Sequence, residues 1–232
     1  MFLHWQSLRY ETTTLFDFDF VQNSTPAGPA APSVTLPTVQ TGTVAYLFEF
    51  AQSYSTVPST PSHPGWTLIT NLGQQPTGDT GCRISAYYKI LTSGDSGSVI
   101  TGIDPTPGDD SSGGSSSIII VLSKPTQTVT SVTNTNIQTD IIDLAFPTNV
   151  PVPDQTLAMS TAVKPSIAFA FSDELAMYYT GSQTPSLTVE TSYRGKLFVF
   201  NLRDGDTSFD NVISIQSGLW RKALTTFISR IQ

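Results

Sequence analysis

The clearest signal along the chain is strict alternation of apolar and polar residues. In Phe16-Asp17-Phe18-Asp19-Phe20 three rings fall on one face of an extended segment and two carboxylates on the other, because successive strand side chains point to opposite faces. Cys82, Ile84, Ala86, Tyr88 and Ile90 alternate in the same way with Arg83, Ser85, Tyr87 and Lys89, which predicts an apolar-in, polar-out strand. Residues 43–51 differ. Val44, Tyr46, Phe48 and Phe50 oppose Ala45, Leu47 and Ala51, so this segment reads as a central strand covered on both faces. Further strands are expected at 66–69, 98–103, 117–122, 126–133, 137–144, 166–171, 187–191 and 196–202, with a weaker one at 211–215. A strand-like 33–36 sits inside a Pro/Ala-rich stretch, 25–37, read as a long loop within one domain.

Clusters of Gly, Pro, Ser and Asp separate these segments at 93–97, 105–114, 147–153, 180–185 and 204–206, as turn chemistry requires. The run DDSSGGSSS at 109–117 reads as a mobile loop. At the C-terminus Trp220, Leu224, Phe227, Ile228 and Ile231 lie at helical spacing, while Leu219, Ala223, Phe227 and Ile231 fit a strand face; the all-β context favours a closing strand. The expected fold is therefore all-β: a jelly-roll-like antiparallel β-sandwich in a single domain over 14–232, preceded by an N-terminal arm over 1–13.

Composition sharpens this picture. Charged residues make up 12% of the 232, about half the usual ~25%. So little charge suits a protein that buries surface in an assembly. The net charge is −7, and the 11 Lys and Arg are scattered, whereas a nucleic-acid groove needs concentrated positive charge. No apolar run approaches the ~20 residues that span a bilayer, so neither nucleic acid nor membrane insertion is expected. A single cysteine, Cys82, excludes an internal disulfide and a Cys-based zinc site. Residues 1–16 lack the basic and long apolar regions of a secretory signal, so synthesis in a reducing cytoplasm is expected.

Several residue groups invite chemical readings. Gly94-Asp95-Ser96-Gly97 matches the nucleophile turn of chymotrypsin-like proteases, but such a serine needs a histidine base. The chain has only His4 and His63, and the setting of His63, Ser62-His63-Pro64-Gly65, does not resemble that family's histidine motif; a turn is the preferred reading. Asp204, Asp206 and Asp210 offer oxygen ligands to Ca²⁺, with Asp104, Asp109 and Asp110 a weaker cluster, yet neither has EF-hand spacing. A solvated turn is preferred there, and no cofactor is expected. Asp173-Glu174 reads as a surface turn. Asp17 and Asp19 read as a wet strand face, or as partners for basic residues of a neighbouring chain. Trp66, Tyr87, Tyr178 and Tyr179 are candidate exposed aromatics for stacking on sugar rings. Phe2, Leu3, Trp5 and Leu8 give the arm an apolar surface for a partner. No phosphate loop, HExxH or dinucleotide motif is present, and no enzyme activity is expected.

One stretch resembles a known family. It runs through Pro37-Thr38-Val39-Gln40-Thr41-Gly42, Val44-Ala45-Tyr46-Leu47-Phe48 and Pro64-Gly65-Trp66-Thr67, then Arg83-Ile84-Ser85-Ala86-Tyr87-Tyr88-Lys89-Ile90-Leu91 and Asp95-Ser96-Gly97-Ser98. This is similar to a β-sandwich module of tailed-bacteriophage virion proteins, which has a P-x-G-W-T strand start and a Y-K-x-L-T strand ending in a small-residue turn. Thr43 replaces the family's usual Asp after Gly42, and the likeness covers roughly 35–102. The resemblance implies a virion component of the tail or fibre apparatus. Its partners would be other virion proteins and copies of itself. The alternatives are a capsid decoration protein and, from another class, a host-glycan-binding module.

Overall fold

The computed structural model describes residues 16–25, 31–53, 57–74, 81–105, 114–125, 129–142, 155–161, 166–202, 209–215 and 222–232. The arm, with Phe2, Leu3, Trp5 and Leu8, lies outside them, as do Asp109, Asp110, Asp204 and Asp206. In chain order the strands are β1 (Phe16–Thr25), β2 (Ser33–Thr35), β3 (Val44–Ser53), β4 (Thr67–Gln74), β5 (Gly81–Ile90), β6 (Val99–Thr101), β7 (Gly114–Pro125) and β8 (Val132–Ile142). They continue as β9 (Gln155–Thr161), β10 (Ser166–Ser172), β11 (Met177–Gly181), β12 (Leu187–Glu190), β13 (Lys196–Leu202), β14 (Phe209–Ile215) and β15 (Lys222–Ile231).

Two five-stranded sheets form the body. The first has the order β1-β7-β3-β5-β4 and the second β12-β13-β10-β15-β8, and neighbouring strands run antiparallel. Alternate residues of β3 (Tyr46, Phe48 and Phe50) meet Phe169 and Phe171 of β10 and Phe227 of β15 in a shared core. The Phe169 and Phe227 rings stack at 4.8 Å, and Tyr46 lies 4.5 Å from Phe169. The sandwich thus follows from aromatic residues at period two on facing central strands.

Both sheets are also covered on their outer faces. Ala45, Leu47, Ile118, Ile120 and Leu122 of the first sheet pack under Val34 of β2, Ile100 of β6 and the connecting Leu36 and Val39. Ala168, Ala170, Phe198, Phe200 and Leu224 of the second sheet pack on a three-stranded sheet, β11-β14-β9, through Met177, Ile213, Ile215 and Met159. The architecture is a sandwich with an added layer on each side. All ten residues of β3 are buried, as the doubly apolar 43–51 predicts, and so are all seven of β10.

The differences from the sequence reading have local causes. Within the described residues, the strands expected at 126–133 and 137–144 give the single β8 (Val132–Ile142). Asn136 has φ 52°, and the register of β8 against β15 shifts between Thr226 and Ile228; this bulge interrupts the alternation that would have marked one strand. Strand β7 starts at Gly114, inside the expected loop. A Cβ there would lie 2.6 Å from the Gln52 carbonyl, so the glycine allows close pairing rather than a turn. Strands β9 and β11 were not expected; among the described residues each pairs only with β14. The C-terminal segment is a strand, held between β10 and β8.

Candidate functional site

The outer face of β5 carries the most unusual polar group. Glu49 of β3 and Ser85 of β5 are directly opposite in register, and both are fully buried. The Ser85 hydroxyl donates to Glu49 Oε2 at 2.7 Å. The other carboxylate oxygen lies 2.9 Å from His63 Nε2, on a side chain only 7% exposed. The imidazole meets Tyr87 edge-on at 5.0 Å, and the Tyr87 hydroxyl donates to the Pro61 carbonyl at 3.0 Å. Arg83 donates from Nε to the Pro58 carbonyl at 2.5 Å and from its guanidinium terminus to Asn71 Oδ1 at 2.6 Å.

Residues 57–66 therefore form a strap across β3, β5 and β4. Pro58, Pro61 and Pro64 fix φ and remove N–H donors, leaving carbonyls to be met by Arg83 and Tyr87. Trp66 closes the strap: its N–H donates to the His63 carbonyl at 3.0 Å, and its ring packs half-buried on the outer apolar cluster. The expected wet face of β5 is accordingly covered. Tyr87 is 5% exposed rather than a surface aromatic. Burial, and then the charge of Glu49, push its hydroxyl pKa up, while burial lowers that of Arg83.

The chemistry of this cluster is set by its order. In a Ser-His-acid relay the imidazole stands between hydroxyl and carboxylate. Here the carboxylate stands in the middle, and the Ser85 hydroxyl donates to Glu49 rather than to the imidazole. The cluster satisfies a buried charge and fastens the strap. Ser96 lies elsewhere, bonded to the Val39 N–H at 3.0 Å. Asp95 beside it accepts from Lys89 at 2.6 Å and from the Thr92 N–H at 2.8 Å. The Lys89 bond and then the Thr92 N–H hold its carboxyl below the usual carboxylate range. The GDSG motif is a turn.

Asp173-Glu174 is a correction. Asp173 is 1% exposed, not a surface residue. It follows β10 and accepts the Ala223 N–H of β15 at 2.7 Å, while Oδ2 has no partner among the described residues. Burial pushes its carboxyl up to about 6, against the opposing Ala223 bond and Arg194 charge. Glu174 bonds Lys222 at 2.7 Å. Burial alone would raise the Glu174 carboxyl, but the Lys222 bond and the Ala176 N–H carry it below its ordinary value. These two acids tether the start of β15 to the end of β10.

The candidate sugar-stacking residues are not brought together. Trp66 belongs to the outer cluster of the first sheet, whereas Tyr179 packs edge-on against Phe198 at 5.3 Å on the far side of the second. Tyr178 is 39% exposed beside it. Asp19 pairs with Lys124 of the same chain at 3.3 Å. Among the described residues no group of three His, Cys, Asp or Glu is placed to hold a metal ion, and no helix is long and apolar enough to cross a membrane. A cavity of about 190 Å³ opens between β8 and β9, lined by Asn136, Gln138, Met159 and Ser160 among others.

The sequence reading missed the Glu49–His63 pair. The signal for it was a lone acid in a strand otherwise apolar on both faces, which has to find a partner once buried. No family model matches the chain, and no curated protein is significantly similar to it.

Proposed function

We propose that this chain is a structural component of a tailed-phage virion, in the tail or fibre apparatus, acting through subunit contacts. The observation that supports this is the closure of the stretch with the virion-module resemblance. Its ends meet where β2 pairs with β6, Thr35 opposite Val99, and β3, β4 and β5 lie between them. The motif residues hold the joints of this unit. The Gly42 N–H donates to the Leu91 carbonyl at 2.9 Å, Trp66 closes the strap, and Lys89 bonds Asp95 in the small-residue turn. A stretch whose motif residues serve its own turns fits a module reused for architecture rather than for a reaction. The proposal needs the sandwich, not the jelly-roll-like strand order expected from strand spacing.

The test is mass spectrometry of purified phage particles from the source of this sequence. Peptides of the chain at a fixed, multi-copy ratio to the major virion proteins are expected; their absence would overturn the proposal. Labelled particles then separate a tail position from capsid decoration. Deleting residues 1–10 is expected to leave a folded protein that no longer joins particles.

A further inference from the structure

The two edges of the first sheet differ. At one end β4 carries a register shift between Leu68 and Thr70, and β8 of the second sheet approaches it. At the other end β1 pairs with β7 over ten consecutive residues without a shift. Among the described residues no strand pairs with its outer side, although β2 approaches its second half, where the Asn23 amide donates to the Ser33 carbonyl at 2.8 Å. The remaining edges are shorter, as in the seven residues of β9, the five of β11 and the four of β12, or irregular, as in β8. A long regular edge offers a row of backbone N–H and C=O groups to another strand.

We propose that β1 pairs antiparallel with β1 of a second copy of this chain, across a two-fold axis, joining two first sheets into one continuous sheet. The side chains select this arrangement. Phe16 and Phe18 turn their rings into the core, and Phe20 continues the same face but is 40% exposed. Both acids lie in the first half of the strand; Gln22, Asn23, Ser24 and Thr25 in the second half are uncharged. In a two-fold antiparallel pair centred on Phe20 the two Phe20 rings face each other. Asp19 then lies opposite Val21 and Asp17 opposite Asn23. Centring on Phe18 would set Asp17 against Asp19 of the other copy, and in-register parallel pairing would set each acid against itself. Directly opposed like charges destabilise a strand pair, whereas opposed aromatics stabilise it. The same surface on both copies makes the contact closed and self-complementary.

This inference deepens the assembly reading by naming one partner, and rests on that reading for its biological setting. Its test uses the purified full-length chain, so it can fail while the chain is still found in particles, and the reverse. Sedimentation is expected to give a dimer mass at micromolar concentration. Phe20→Lys should give a monomer with an unchanged circular-dichroism spectrum, and Val99→Lys, at a residue 63% exposed elsewhere, should remain dimeric. Under mild oxidation Phe20→Cys should form a disulfide-linked dimer faster than Asp17→Cys. A wild-type monomer at every concentration tested would overturn the proposal. So would a dimer indifferent to Phe20→Lys, or cross-linking fastest at Asp17→Cys.

Discussion

The imidazole of His63 and the carboxylate of Glu49 meet at 2.9 Å beneath a proline-rich strap, 14 residues apart in the chain. Removing the imidazole leaves the buried carboxylate with Ser85 alone. His63→Ala is therefore expected to cost about 2–4 kcal/mol, whereas Glu49→Gln, which retains both hydrogen bonds without the charge, should cost less than about half of that. Urea denaturation of the two variants at neutral pH checks the order; equal losses would show that the Glu49 charge itself stabilises the cluster and would overturn the expected order.

Asp173 gives a pH dependence of defined sign. Its carboxyl rises from the ordinary 3.8 to about 6 in the folded state, so the folded protein favours the protonated form. Stability from this group is present below pH 4, falls as pH rises through about 6, and is flat above. Two pKa units correspond to about 3 kcal/mol. Asp173→Asn keeps an oxygen for the Ala223 N–H and cannot ionise. It is expected to be more stable than wild type at pH 8 by about 1–3 kcal/mol, and to lose the advantage near pH 4. Denaturation of both proteins across that range measures the difference.

Gly195 has φ +107°, and a Cβ there would lie 2.5 Å from Phe50 Cδ2 in the central core. Gly42 has φ +94° with nothing within 4 Å. Gly195→Ala combines strain with a core clash and is expected to cost about 2–4 kcal/mol, against about 1 kcal/mol for Gly42→Ala. Melting temperatures of the two variants separate the steric part from the backbone part.

Phe169 touches Tyr46, Phe48 and Phe227 at once, with ring centroids 4.5, 5.4 and 4.8 Å away. Phe169→Ala is expected to cost about 3–5 kcal/mol, whereas Val99→Ala on the surface should stay within about 0.5 kcal/mol. Denaturant midpoints of the two variants test whether the stacked rings between β3, β10 and β15 are the centre of stability.

The sandwich was legible because its two faces are written at period two. Phe48, Phe50, Phe169 and Phe171 announce buried strands regardless of what they pack on. The extra layers were less legible. Ser85 and Tyr87 alternate with apolar residues as surface positions do, and nothing local says that a strap will cover them. Tyr178 and Tyr179 look like a paired surface feature until Tyr179 finds Phe198 and Phe200. Asp173 looks like a turn residue because burial of a carboxylate depends on the N–H of Ala223, fifty positions away.

By itself the sequence determined most strand positions, the doubly buried character of β3 and the turn at residues 93–97. These follow from steric and hydrophobic preferences acting over a few residues. Only the tertiary structure decided which acids are buried, that Glu49 meets His63, which aromatics share a surface and which strands are left at an edge. Those outcomes depend on contacts between distant segments, where burial raises the cost of every unpaired charge and a sheet edge is defined only once the other strands have found their neighbours.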